Sequence, residues 1–189
     1  MRVSREKAVQ NRARIVEAAS RMFREEGFDR TGIDAIMKAA GLTHGGFYCH
    51  FESKEDLAAE AVTLAMKRGL EKQSRYETLG DAVSGYLSEQ HCASRANGCA
   101  VAALGADLAR QSEGVRGGVT AYMRAQLDQL ANLMKGGTAA SRRKRAIATF
   151  AGMVGALTLA RAVDDPALSR EILKAACDAF AVPSREEGE

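Results

Sequence analysis

Apolar residues recur along this chain at helical spacing from near its start to near its end. Ile15, Ala18, Ala19, Met22 and Phe23 keep the i, i+3, i+4, i+7, i+8 rhythm of an amphipathic helix, which the pattern places over about residues 6–26, with Gly27 as its stop. Phe28 then packs under the next helix, while Arg30 and Thr31 face outward. Ile33, Ile36, Met37 and Ala40 form the stripe of a shorter second helix. Thr31 stands where a side-chain oxygen can cap its first free amides, and Gly41 where a helix ends in a left-handed turn. Leu42 can plug the gap between helices and Thr43 caps the next one. That short helix, His44 to Phe51, turns Phe47 and Phe51 inward and His44, Tyr48 and His50 outward. Two short helices around a tight Gly turn suit an element that lays its second helix in a DNA major groove.

Further helices follow. Ser53 caps the next one with Asp56 three residues on, as in a capping box, and Leu57, Ala61, Leu64 and Ala65 continue it to about Glu71. This helix starts at the helix-turn-helix and ends in the second half of the chain, so it reads as a lever. Leu79 to Cys92 reads as one helix with Val83, Tyr86 and Leu87 on one face. Arg95-Ala96-Asn97-Gly98 is a turn, and helices follow over Cys99–Gln111 and Gly114–Met134. Lys135-Gly136-Gly137 is a stop, Ser141–Val163 is apolar on most of its circumference, Pro166 breaks the chain, and Leu168–Val182 is a last amphipathic helix. There is no internal repeat and no strand-like alternation. The fold class is all-α: an N-terminal three-helix DNA-binding domain with a helix-turn-helix over 1–52, a helical effector-binding and dimerisation domain over 53–182, and a disordered tail over 183–189.

Composition agrees: there is no Trp, Pro occurs only twice, and Ala, Leu, Arg and Glu abound. The net charge of +3 does not by itself point to nucleic acid, but its placement does. Arg2, Arg5, Lys7, Arg12, Arg14, Arg21 and Arg24 face only Glu6 and Glu17 over residues 1–24, giving a helix that can contact phosphates without reading bases. The charged N-terminus has no apolar run of a secretory signal, and Ala146–Ala160 is too short and too rich in Gly and Ala to span a bilayer, so the expectation is a cytoplasmic protein without membrane contact. The four cysteines are scattered, so free thiols are expected.

The segment Thr43-His44-Gly45-Gly46-Phe47-Tyr48-Cys49-His50-Phe51-Glu52-Ser53-Lys54-Glu55-Asp56-Leu57 resembles the signature of the TetR/AcrR family of transcriptional regulators: a polar, Gly-containing helix start, then Phe/Leu-Tyr-x-His-Phe, then Lys-Glu-x-Leu. Ile15 through Gly27-Phe28 to Thr31 is similar to the family's first helix and turn, and Leu159 to Pro166 resembles its dimerising helices. The resemblance implies DNA contacts from Thr31, Thr43, His44, Gly45, Gly46, Tyr48, His50 and Lys54. Gly45 and Gly46 let the backbone approach the groove but read no base, at a helix-propensity cost of about 1 kcal/mol each relative to Ala. The sequence departs from the family's pattern at His44, where a Lys is common, and at Gly32, where Ser or Thr is frequent.

The resemblance also implies a homodimer on a palindromic operator. The helix over 141–163, with Ile147, Phe150, Val154, Leu157 and Leu159, and the last helix, with Ile172, Leu173, Ala176 and Phe180, would form an intermolecular four-helix bundle. The basic run Arg142 to Arg145 reads as a solvated helix start. A small, partly apolar effector would sit between the lever and the dimer helices, with candidate lining from Met66, Tyr86, Leu104, Leu108, Tyr122, Met123, Gln126 and Met153. The same residues fit an ordinary core.

Cys92 and Cys99 flank the 94–98 turn, where His91 and Arg95 can favour a thiolate. They read either as core residues or as a thiol that senses oxidants or electrophiles; Cys49 on the recognition helix is a third candidate. No cofactor and no metal site is expected, since the spacing of His91, Cys92 and Cys99 matches no zinc pattern. Nothing resembles the nucleophile, metal cluster or phosphate loop of an enzyme. The reading is a ligand-responsive regulator, most naturally a repressor. Its alternatives are a thiol-based redox or electrophile sensor and a helical dimeric adaptor without DNA binding.

Overall fold

The glycines read as helix stops set the boundaries of the N-terminal helices. A computed structural model describes residues 5–181, and every regular element among them is helical. Helix α1 runs Arg5–Glu26, α2 Ile33–Ala39, α3 Lys54–Gln73, α4 Leu79–Tyr86, α5 Glu89–Ala93, α6 Ala100–Leu108, α7 Glu113–Leu133, α8 Ala139–Ala162 and α9 Pro166–Ala181. Gly27 takes φ 88° and Gly41 φ 67°, a left-handed turn that side chains with a Cβ resist. At Gly41 the stop is a Schellman motif: its N–H donates to Lys38 O at 3.0 Å and that of Leu42 to Met37 O at 2.9 Å. The tail expected over 183–189, Val182 as the end of the last helix, and Arg2 lie outside the described residues. No helix among the described residues is long and apolar enough to cross a membrane.

Caps start several helices. Ser53 Oγ accepts from Asp56 N–H at 3.0 Å, as the sequence predicts. Thr138 Oγ1 accepts from Ser141 N–H at 3.1 Å, and Asp165 Oδ1 accepts from Ala167 N–H at 2.7 Å, ahead of Pro166 in the first position of α9. The single helix predicted over 79–92 is two. Leu87 closes α4, and Ser88 caps α5 by accepting from His91 N–H at 3.1 Å, so a side-chain acceptor restarts the helix on a new axis.

The described residues form two compact units: 5–68 with 95–120, and 69–94 with 121–181. This division differs from a boundary at residue 52, because most of α3, all of α6 and the start of α7 pack with the first unit. In the first unit α1 packs on α2 and α6 around Ile15, Phe23, Ile36, Met37, Phe47, Phe51 and Leu57. In the second, α8 packs on α9 and α5, and α4 on α9, around Val83, Leu130, Met153, Leu157 and Leu173. A Cβ at Gly152 would overlap the ring of Phe180, so this glycine sets how closely α8 and α9 approach.

Candidate DNA-binding face

His44–Cys49 is a 3-10 helix rather than the α-helix expected. Gly45 and Gly46 lack the propensity to hold α-helical winding, and a short 3-10 turn brings the next apolar side chain to the core within one segment. Phe47 is completely buried, 5.7 Å from Phe51 between ring centroids and 5.2 Å from Tyr48. Tyr48 is 66 % exposed. The inward Phe47 and Phe51 and the outward Tyr48 match the sequence reading. His44 and Thr43 are also exposed, and His50 is half-buried. Nothing lies near the Cβ position of Gly45, so the backbone there is open to an approaching ligand. Thr43 occupies the N-cap position but makes no side-chain cap bond, which leaves its hydroxyl available. His44 Nδ1 pairs with the Asp34 carboxylate of α2.

Three expectations are corrected. Thr31 does not face outward: it is fully buried, and its hydroxyl donates to Gly27 O at 2.7 Å. It neither caps α2, whose N-cap is Gly32, nor presents a hydroxyl to DNA. A threonine that satisfies its hydroxyl on a nearby carbonyl fits a core as well as a surface. Arg24 also turns inward, 5 % exposed, with Nη1 3.5 Å from Gly98 O; desolvation pushes its pKa down to about 10. Arg12 is a clamp, a role that the expectation of a phosphate contact did not include. It donates to His50 O, pairs with Glu60 of α3 and lies 4.1 Å over the Phe51 ring, holding the recognition segment between α1 and α3. Sequence reasoning missed this role, because Arg12 looks like any other cation on a basic helix until its partners are known. Lys54 Nζ likewise donates to Phe28 O at 2.5 Å. Arg5, Lys7, Arg14 and Arg21 remain exposed on α1.

Glu17 of α1 and Arg68 of α3 form a two-pronged pair, 2.8 Å and 2.6 Å. The hydrogen bond from Arg68 holds the Glu17 carboxyl below its ordinary pKa, partly offset by desolvation.

The candidate effector residues fall in different units. Met66, Leu104 and Leu108 are buried in the first; Tyr86, Tyr122, Met123, Gln126 and Met153 belong to the second. Within the second unit the Tyr86 ring stands 6.3 Å from Phe150 and 4.8 Å from His91. Gln126 Oε1 and Gln73 Nε2 are buried there without a hydrogen-bond partner. Of the two candidate thiols, Cys99 lies in the first unit and Cys92 in the second; both are half-buried and neither forms a disulfide. His91 cannot supply the positive charge expected beside Cys92. Burial pushes its pKa down to about 4, and its Nδ1 lies 2.6 Å from Tyr86 O, an acceptor that requires the proton on Nδ1 of a neutral ring. Among the described residues no group of three or more His, Cys, Asp or Glu is placed to hold a metal.

Comparison with known proteins matches this architecture. The family described as bacterial regulatory proteins, tetR family, matches residues 15–61. The chain is similar to the HTH-type transcriptional regulator AcrR of Shigella flexneri, 34 % identical over 85 residues, 44 % of this chain and 40 % of that protein. The chain spans less than half the length of the curated relatives it matches. Its fold is similar to that of a TetR-family regulator from Cytophaga hutchinsonii, with a TM-score of 0.75 at 20 % identity over 98 % of this chain and 100 % of that one. It is also similar to FadR of Bacillus subtilis, solved in complex with stearoyl-CoA, with a TM-score of 0.59 at 19 % identity over 87 % of this chain and 97 % of that one. The helix-turn-helix over α2 and the recognition segment lies within the stretch that matches the tetR family of bacterial regulatory proteins, and the all-helical fold is similar to that of solved TetR-family regulators.

Proposed function

We propose that the protein is a ligand-responsive repressor that binds a palindromic operator as a homodimer and is released by a small, partly apolar effector. One observation carries the DNA reading: the recognition segment buries Phe47 and Phe51 completely while leaving Tyr48, His44 and the Gly45 backbone open. An isolated aromatic with no need of exposure is expected to bury its ring; Tyr48 keeps its ring out, on a motif built for the major groove. Thr43, His44, Gly45, Gly46, Tyr48, His50 and Lys54 are the proposed contacts, with Arg5, Lys7, Arg14 and Arg21 on phosphates. Fluorescence anisotropy against the DNA upstream of the protein's own gene, beside scrambled DNA, tests it. Binding about a thousandfold tighter to the operator is the expected result; equal binding to both would leave a helical adaptor.

The dimer reading rests on α8 and α9, where Ile147, Leu159 and Leu168 are 49 %, 59 % and 41 % exposed while Phe150, Leu157 and Leu173 fill the core of the same helices. Leu159→Arg is therefore expected to keep its helical content by circular dichroism, to give a monomer by light scattering, and to drop operator affinity to the non-specific level. A Leu159→Arg dimer would end this assignment. Gln126 Oε1 and Gln73 Nε2 support an effector cavity in the second unit, because native proteins rarely leave buried polar atoms unmatched. The stearoyl-CoA bound to Bacillus subtilis FadR supports an effector with an apolar part. Coupling would run through α3, which contributes to both units.

Cys49 favours a second reading. It is exposed on the recognition segment itself, so its oxidation or alkylation would place a new group on the DNA face. Peroxide is expected to weaken operator binding and dithiothreitol to restore it, with Cys49→Ser insensitive to both; an equal peroxide response in Cys49→Ser would remove the idea.

A further inference from the structure

The second unit contains a cleft of about 380 Å³ that neither the DNA face nor the effector reading accounts for. It lies among the first turn of α4, the end of α7, the first half of α8 and the end of α9, and none of the eight candidate effector residues lines it. Its size falls within the range of small-molecule sites, about 300–1,000 Å³. Leu79, Leu133, Met134 and Phe180 give it an apolar wall. Arg145 gives it a fixed cation. Gly136 and Gly137, at φ 68° and 71°, carry the chain around the guanidinium, and Nη2 donates to Lys135 O at 2.8 Å and Gly136 O at 3.0 Å. Those bonds hold the fork in place but leave its Nε buried with no hydrogen-bond partner.

A guanidinium held in place by backbone carbonyls and lining a mostly apolar cleft matches a planar oxyanion attached to an apolar body. Lys135 adds a second cation to the lining. Glu77 also lines the cleft, but it is exposed to solvent, where its repulsion is screened. We propose that this cleft is a second ligand site, separate from the effector cavity, that takes a small amphipathic carboxylate with its head on Arg145 and its chain against Leu133, Met134 and Phe180.

Titration calorimetry of the full chain with octanoate, octanol and octylamine tests this. Octanoate is expected to bind saturably, one per chain, and octanol about tenfold or more weaker, since it loses the charge-assisted bond. Octylamine is expected not to bind. Arg145→Gln should weaken octanoate by about tenfold or more. Because Arg145 also tethers the Lys135–Gly136 turn, Leu133→Trp is the companion variant: it fills the apolar wall, keeps the guanidinium, and should abolish binding with an unchanged melting temperature. No saturable octanoate binding, or equal binding of octanoate and octanol, would overturn the proposal. So would octanoate binding that survives Leu133→Trp and disappears in Gln126→Leu, which would put the probe in the effector cavity.

Discussion

Phe47→Ala is expected to cost about 3–5 kcal/mol of stability, the range for removing a fully buried Phe side chain. The ring has no exposed surface and stacks on Phe51, whose other neighbour is the Arg12 guanidinium. Its loss leaves a hole under a segment that has little of its own to hold it, because Gly45 and Gly46 contribute no helix propensity and the winding is 3-10. The denaturation midpoint should fall and operator binding should vanish with it. Tyr48→Ala, one residue on, is the matched control. Its ring is mostly in solvent, so stability should be unchanged while operator affinity drops by about tenfold or more. If both variants lost affinity only in proportion to lost stability, Tyr48 would have no role at the DNA face.

Acid lability is the second large effect. Desolvation lowers the His91 pKa to about 4 from the ordinary 6.5, so the unfolded chain takes up its proton first. Between those values the unfolded state binds more protons, and stability falls as pH falls. The contribution is zero above about pH 6.5 and reaches on the order of 3 kcal/mol of lost stability by pH 4. Below that the folded ring is protonated as well and the loss stops growing. His91→Asn keeps a donor near the position of Nδ1 for Tyr86 O but does not titrate. Denaturant midpoints measured from pH 7.5 to 4.5 should therefore slope less steeply in His91→Asn than in the parent. The Glu17 carboxyl, held below its ordinary pKa by Arg68, adds a further loss at the acid end in both proteins. Equal slopes would mean that His91 is not held neutral by burial.

The N-terminal motif was legible in the sequence because its chemistry is local. Phe47 and Phe51 stand four residues apart, the spacing that turns both to one face of a helix, and Tyr48 falls off that face. Legibility fell where a residue has two acceptable environments. Thr31 can satisfy its hydroxyl on DNA, on an amide or on a carbonyl, and the chosen partner, Gly27 O, is fixed by how α1 ends against α2. Arg24 and Arg12 belong to the same basic run as Arg14 and Arg21; only the position of the Gly98 carbonyl, and of His50, Glu60 and Phe51, separates structural cations from exposed ones. The break at Leu87–Ser88 has a local signal, Ser88 three residues before His91, but the apolar rhythm that continues through it masked the cap. The cleft beside Arg145 has no sequence signature, since its walls come from four helices whose segments are separated along the chain.

By itself the sequence determined the helical class, the stops at Gly27, Gly41 and Gly136–Gly137, and the inward and outward faces of the recognition segment. These follow from backbone and periodicity terms that act within a few residues: a left-handed φ that only glycine takes cheaply, and apolar spacing that selects one face. The tertiary structure alone decided which polar residues are buried, which cations are committed to carbonyls and carboxylates, and which apolar residues of α8 and α9 remain in solvent. Burial depends on what packs opposite a side chain, and for Thr31, Arg24, His91 and Leu159 that neighbour, or its absence, comes from elsewhere in the fold.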